Sequence, residues 1–474
     1  MTDPQSLSIA IIGAGPGGYA AAFLAADLGV KVTLIDPEVN PGGVCLYRGC
    51  IPSKALLHVA KLIEESEQSK NWGIEFAKPQ IDLARLRAWK EGVVKKLTGG
   101  LGILSKQRHV EYIQGTAEFE SSNTLRITKA DRTEVILSFH RVIIASGSRP
   151  AVIPSLKVDS PRLMDSTGAL KLEDVPGSLL VVGGGYIGLE LGSVYAALGT
   201  RVTVVEMLSG LLPGADRDLV LPLHKRLEKL FETILPNTTV SSLKDEGHGI
   251  RATFEGPDLK ERDKIFDRVL VSVGRKPNSE IAGLRNTQVK VGPRGFIEVN
   301  HQLQTADPSI YAIGDVVGEP MLAHKASHEG RTAVEAIAGH KVAFEPNAIP
   351  AVVFTDPEVA WCGLTETEAQ KENREVTVAR FPWAASGRAV TLDRPDGLTK
   401  LIVDPKSERV LGVGIVGTGA GELIAEGVLA IEMGALAKDV ALTIHPHPTL
   451  SETIMESAEV FYGTSTDIYR PRRT

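Results

Sequence analysis

The chain has 474 residues, room for about three domains at roughly 100–200 residues each, every one large enough to bury its own core. It is 43% hydrophobic and 23% charged with a net charge of −6, which excludes long disorder, a fibrous repeat and the basic field of a nucleic-acid- or membrane-binding protein. Three cysteines, at 45, 50 and 362, are too few for a secreted disulfide framework and favour a reducing compartment. Glycines break the apolar stretch from Leu7 to Val30, so it reads as neither a cleaved signal nor a membrane span. The expected location is cytoplasmic, with Arg470, Arg472 and Arg473 forming a solvated tail.

In chain order, Ser8 to Ile12 reads as a β-branched strand, followed by Gly13-Ala14-Gly15-Pro16-Gly17-Gly18 and an Ala/Leu-rich helix to Leu28. A second strand, Lys31 to Ile35, ends at Asp36. Strand, glycine turn, helix, strand and acid is the order that holds a dinucleotide. Gly13, Gly15 and Gly18 let backbone approach a pyrophosphate, the helix start supplies N–H groups, and Asp36 accepts from a ribose. Asp36 lies 23 residues after Gly13, near the expected spacing of about 20.

Next comes Gly42-Gly43-Val44-Cys45-Leu46-Tyr47-Arg48-Gly49-Cys50-Ile51-Pro52-Ser53-Lys54, leading into a helix from about Pro52 to Glu67. Cys50 is expected just before the helix start, where the dipole lowers a thiol pKa from about 8.5 toward neutrality. Four intervening residues allow the two sulfurs to meet without requiring a disulfide, and two buried structural cysteines are the competing reading.

The first pattern then recurs. Ser178 to Val182 is a strand, Gly183-Gly184-Gly185-Tyr186-Ile187-Gly188 a turn, Leu189 to Leu198 a helix, and Arg201 to Val205 a strand ending at Glu206, again 23 residues after the first glycine. Two matched copies imply two dinucleotides. Glu206 favours the free 2′-hydroxyl of NAD over the phosphate of NADP, and Arg201 stands too early in its strand to reverse that preference. Val142 to Pro150, with Gly147, parallels Val269 to Pro277, with Gly274, each reading as a strand that closes its sheet. Between these landmarks the first copy carries about 43 extra residues, and Cys45 and Cys50 both lie in that copy.

From Pro346 the pattern changes to strands at Val352–Phe354, Val376–Phe381, Leu398–Val403 and Val410–Val416, with a helix at Ala420–Met433, an α+β module. Cys362 reads as a buried hydrophobe in the apolar run Ala360-Trp361-Cys362-Gly363. The segment His445-Pro446-His447-Pro448-Thr449-Leu450-Ser451-Glu452 offers a base. A free imidazole at about 6.5 facing a thiol at about 8.5 is roughly 2.7 kcal/mol uphill, and Glu452 can close that gap by favouring the protonated ring. A zinc site at the His-x-His pair is the competing reading, without a ligand at metal spacing.

The stretches Gly13–Gly18, Gly42–Leu57, Gly183–Glu190, Gly274–Asn278, Ile310–Val316 and His445–Glu452 together resemble the pyridine nucleotide-disulfide oxidoreductases, over nearly the whole chain. Within that family the resemblance is strongest to members that oxidise protein-bound dihydrolipoyl groups. It implies an α/β fold with two Rossmann-like domains and a C-terminal α+β dimerisation domain: FAD-binding 1–150, NAD-binding 151–278, a central region 279–345 completing the FAD site, and interface 346–474. It implies FAD in the first copy and NAD in the second, with Asp315 of Tyr311-Ala312-Ile313-Gly314-Asp315 on the flavin's ribityl chain. Cys45 becomes the interchange thiol and Cys50 the thiol against the flavin.

By the same resemblance Lys54 and Glu190 face flavin and nicotinamide, where the plain alternative is a surface ion pair of little worth. His447 and Glu452 act as a pair that reaches the cysteines of the other subunit in a homodimer, His445 being structural. The implied reaction oxidises a lipoylated carrier protein and reduces NAD, and its rivals are a related disulfide reductase with another substrate or an idle flavoprotein redox sensor. Tyr47 and Arg48 depart from the smaller uncharged residues usual there. Arg48 either favours an acidic carrier or pairs with a local acid.

Overall fold

The computed structural model describes residues 7–257 and 259–469; the arginines expected as a tail at 470, 472 and 473 lie outside them. In chain order the first region comprises β1 (Ser8–Ile12), α1 (Pro16–Asp27), β2 (Lys31–Asp36), α2 (Gly43–Arg48), α3 (Cys50–Gln68), α4 (Leu83–Gln107), β3 (Glu111–Ser121), β4 (Thr124–Lys129), β5 (Glu134–Ser138) and β6 (Arg141–Ile144). β1 is parallel to both β2 and β6, and a later strand, Ile310–Ala312, adds beside β6. Alternate residues of these strands feed two cores, as a pleat dictates. Ile9, Ile11, Leu34 and Ile143 pack with Ala21, Ala22 and Ala25 of α1, whereas Ile12, Ile35 and Ile144 meet Phe119, Leu125 and Ile127 of the antiparallel β3–β5 layer.

The second region repeats the plan with β7 (Ser148–Pro150), β8 (Leu163–Met164), α5 (Ser166–Lys171), β9 (Ser178–Val182), α6 (Tyr186–Ala197), β10 (Arg201–Val205), α7 (Arg217–Leu230), β11 (Thr233–Leu235), β12 (Thr239–Asp245), β13 (Ile250–Glu255), β14 (Asp263–Phe266), β15 (Arg268–Val271) and β16 (Arg275–Pro277). Its parallel sheet runs β11-β10-β9-β15-β8, and β12–β14 form a separate antiparallel layer. Leu179, Val181, Val202 and Val204 pack on Leu189 and Val194 of α6 and Leu223 of α7, while Leu180, Val182 and Val205 meet Ile250, Phe254 and Phe266.

The strand β17 (Ile310–Ala312) and helix α8 (Ala323–Ile337) return the chain to the first sheet. The last region then runs β18 (Ala351–Val353), β19 (Glu358–Gly363), α9 (Glu366–Lys371), β20 (Thr377–Pro382), α10 (Gly387–Thr391), β21 (Leu398–Val403), β22 (Val410–Gly417), α11 (Ala420–Glu432), α12 (Ala437–Leu442) and α13 (Glu452–Tyr462). Its strands make an antiparallel sheet ordered β18-β19-β22-β21-β20, backed by α11 and α13. Cys362 is buried in this core, and burial pushes its thiol up to about 12. Among the described residues no helix is long and apolar enough to cross a membrane.

Three expectations are corrected. The closing strands are broken: β6 stops at Ile144 and β15 at Val271, and after the turns at Gly147 (φ +67°) and Gly274 (φ +108°) β7 and β16 pair with each other instead of extending the parallel sheets. The second-copy helix begins at Tyr186, inside the glycine turn, because extended Gly185 caps it. Cys50 is the first residue of α3 rather than its predecessor, and Cys45 lies within the separate short helix α2.

Candidate active site

Both glycine turns are built alike. Gly13 (φ +97°) and Gly183 (φ +106°) take left-handed backbone, and a Cβ on Gly18 or Gly188 would sit 1.9 or 2.3 Å from the carbonyl oxygen of Gly13 or Gly183. Only glycine permits helix and turn to approach so closely. The acid of each copy braces its own turn. Asp36 Oδ2 accepts from the Ala14 N–H and Glu206 Oε2 from the Gly184 N–H, both at 2.7 Å. Burial raises the Asp36 pKa, opposed by the N–H bonds from Ala14 and Glu38. Arg201, exposed, pairs with Glu232 at 3.5 Å and does not reach this turn.

A cavity of about 620 Å³ runs from the first turn across to α6. Gly13, Gly15, Asp36, Cys45, Cys50, Lys54, Gly147, Glu190 and Asp315 line it. Gly18 packs behind it, and Gly183, Gly185, Gly188, Glu206, Gly274, His447 and Glu452 are not in its wall. The wall also holds Ser53, Tyr186 and Arg275, which lie within the sequence motifs but carry no role there. Arg275 donates to the Ser148 hydroxyl at 2.7 Å, and that hydroxyl donates to Asp315, fixing the carboxylate at the cavity edge.

The cysteines meet because the chain turns sharply at Gly49, where a Cβ would lie 2.9 Å from the Val44 carbonyl oxygen. Cys45 and Cys50 are hydrogen-bonded to each other. That bond pulls the Cys50 pKa down to about 7, helped by the charge of Lys54 and opposed by burial and by Glu190. The same bond, with burial, pushes Cys45 far up. In the reduced pair Cys50 is therefore the sulfur that ionises first and Cys45 the one that keeps its proton, the polarity that separates a leaving sulfur from an attacking one.

Beside them Glu190 is 3% exposed, which removes the surface-ion-pair reading. Its Oε2 accepts from Lys54 Nζ at 2.7 Å and the Ser53 hydroxyl at 3.1 Å, and its Oε1 from the Phe354 N–H at 3.0 Å. Lys54 Nζ also stands 4.5 Å from the centre of the Phe354 ring. Tyr47 bonds the Asn40 carbonyl at 3.0 Å, and Arg48 ion-pairs with Glu38, the local acid.

At the far end of the chain, His447 Nδ1 lies 2.9 Å from Glu452 Oε1, while Glu452 Oε2 accepts from the Thr449 N–H at 2.7 Å. Glu452 is thereby held in place to orient the ring, leaving Nε2 free to face outward from a side chain that is 79% exposed. His445 is instead enclosed between Glu426 and the Thr443 carbonyl, both at 2.8 Å.

Comparison with known proteins agrees with this geometry. Residues 7–330 match the family described as pyridine nucleotide-disulphide oxidoreductase, and residues 349–458 match its dimerisation domain. The chain belongs to the pyridine nucleotide-disulphide oxidoreductases. It is 50% identical over 468 residues to dihydrolipoyl dehydrogenase of Haemophilus influenzae, covering 99% of this chain and 98% of that one. It is 47% identical to the enzyme of that name from Geobacillus stearothermophilus, covering 96% of each. In structure it resembles LpdA of Mycobacterium tuberculosis (TM-score 0.89, 26% identity, 96% and 99% covered) and the HOCl-induced flavoprotein disulfide reductase RclA of Escherichia coli in its Cu(II) complex (0.85, 27%, 96% and 99%). The family's members use FAD and NAD. The dimerisation domain is the element a homodimer requires.

The cavity fits FAD on its own terms. Its glycine end has no room for side chains, since a Cβ on Gly13 would lie 2.3 Å from the Ala145 carbonyl oxygen and one on Gly43 2.5 Å from Gly15 Cα. The thiol pair and Lys54 line the same cavity.

Proposed function

We propose that this protein oxidises dihydrolipoyl groups on a carrier protein and passes the electron pair to NAD, the activity for which its full-length relatives are named. The observation that carries this reading is the placement of Cys45 and Cys50 side by side in the wall of a cavity that begins at a dinucleotide turn. Gly13, Gly15, Gly18, Asp36, Lys54, Gly147 and Asp315 would hold FAD. Gly183, Gly185, Gly188, Glu190, Glu206 and Gly274 would hold NAD. Bound FAD supplies a two-electron relay between sulfur and nicotinamide.

In the oxidised protein Cys45 and Cys50 form the disulfide. His447 of the partner subunit takes a proton from a substrate thiol, whose sulfur attacks Cys45 and expels Cys50 as thiolate. The second substrate thiol then attacks the first sulfur, its proton passing to the departing Cys45, which closes the lipoyl ring, breaks the mixed disulfide and leaves two electrons on the cysteine pair. Glu452 positions the imidazole. The exposed outward face of His447, outside its own chain's cavity, supports this division between subunits. We read the chain as regions 1–150, 151–278, 279–345 and 346–474, a division supported by β17 rejoining the first sheet. Lack of an apolar spanning helix among the described residues accords with a cytoplasmic location.

Formation of NADH from NAD and dihydrolipoamide tests the reading. Cys45→Ser should keep its flavin yet lose at least about a thousandfold in turnover. Near-normal turnover in that variant would overturn the assignment.

A further inference from the structure

Arg48 lines the cavity that fits FAD and pairs with Glu38, whose N–H bonds Asp36, the acid that braces the first glycine turn. It lines the same cavity as Gly13, Gly15, Asp36 and Pro37, the glycine-turn end. Asp36 lines that end with Glu38 two residues on, and the first turn of α1, Pro16-Gly17-Gly18-Tyr19, carries no cation. The other cavity cations are engaged elsewhere: Lys54 by Glu190 and Arg275 by Ser148.

Arg48 gives one guanidinium nitrogen to Glu38 and is 40% exposed, leaving further N–H donors of its planar fork for a second partner. Glu38 is itself tied down, its N–H donating to Asp36 Oδ1 at 2.9 Å and its carbonyl accepting from the Tyr112 hydroxyl at 2.8 Å. Arg48 thus shares its charge with a nearby acid at the cavity edge, and a diphosphate arriving there would compete with that acid for the guanidinium.

We propose that Arg48 binds the diphosphate of FAD, shared between Glu38 and the cofactor, and so offsets the acids at that end of the cavity. The proposal rests on the FAD reading above and extends it to a residue outside the family pattern. A charge-assisted bidentate contact with a phosphate is among the stronger hydrogen bonds available to a side chain.

The test uses the holoenzyme and reads retained flavin, by its visible absorbance, after dialysis against rising potassium bromide. Arg48→Gln should lose FAD with an affinity about tenfold weaker than the parent protein. Arg48→Lys should recover part of the loss, and Glu38→Gln, which removes the competing acid, should retain FAD as well as the parent or better. Equal retention in Arg48→Gln and the parent would overturn the proposal, most clearly if only KM for an acidic lipoylated protein rose. Equal loss in Arg48→Gln and Glu38→Gln would also overturn it, by showing a merely structural pair. Failure of the parent protein to oxidise dihydrolipoamide would sink the activity reading while leaving the flavin-retention result to stand or fall separately.

Discussion

The two dinucleotide units share one nucleotide-binding core and differ most in the segment after their second strand. Turn, helix, acid and the brace from acid to turn are reproduced, down to the same 2.7 Å bond from Ala14 to Asp36 and from Gly184 to Glu206. After β2, however, the first unit inserts α2, α3 and α4, and the second goes to α7. The insertion carries the thiol pair and Lys54. A dinucleotide fold by itself binds; on the proposed reading the redox chemistry belongs to a helical addition on one copy, and its base comes from neither copy.

The comparison can be broken at four points. The largest effect should come from the last region: His447→Gln should lower turnover about a hundredfold or more while leaving flavin binding intact, as steady-state kinetics will show. Next, Gly18→Ala and Gly188→Ala place the same methyl against the same carbonyl, 1.9 and 2.3 Å away. An overpacked site of this kind costs about 1–3 kcal/mol. Gly18→Ala should purify poor in flavin, whereas Gly188→Ala should keep its flavin and show KM for NAD raised about tenfold. The same defect in both variants would deny the division of cofactors between the copies.

A smaller effect concerns the insertion. In protein reduced with dithiothreitol, the iodoacetamide alkylation rate at Cys50 should rise as pH increases, with a midpoint near the thiol's lowered pKa of about 7. The cause sets the sign, since the thiolate is favoured and therefore appears at lower pH than in a free cysteine. Lys54→Met should move that midpoint upward. The smallest effect is expected at Arg201. Its pair with Glu232 is exposed, so Arg201→Ala should change stability by less than about 0.5 kcal/mol in urea titration and leave the preference for NAD over NADP unchanged.

Features written in local spacing were legible in the sequence. The glycine turns, the acids 23 residues on and the Cys45–Cys50 segment each depend on backbone geometry confined to a few residues. Contacts made by folding were not. Nothing near Phe354 signals that its N–H closes on Glu190, 164 positions away, and Arg275 joins Asp315 only through Ser148. The layers β3–β5 and β12–β14 were also missed, because their alternation is short and half exposed, with Ile136 open to solvent. The long α4 escaped for a related reason: Trp89, Leu97 and Ile103 lie on its exposed side, blurring the apolar stripe that marks a helix. For Arg48, the sequence posed a choice between a carrier and a local acid, and the structure supplied the acid.

The Glu190 carboxylate has a mechanical consequence. Its two oxygens tie α6 to α3 and to the backbone just beyond β18, so three separately folded parts are riveted through one buried group. Any swing of one part against the others would strip partners from an anion shut away from water, at a cost of about 3–5 kcal/mol. Turnover by this molecule should therefore proceed with its lobes moving as a single body, the traffic of electrons crossing a rigid joint.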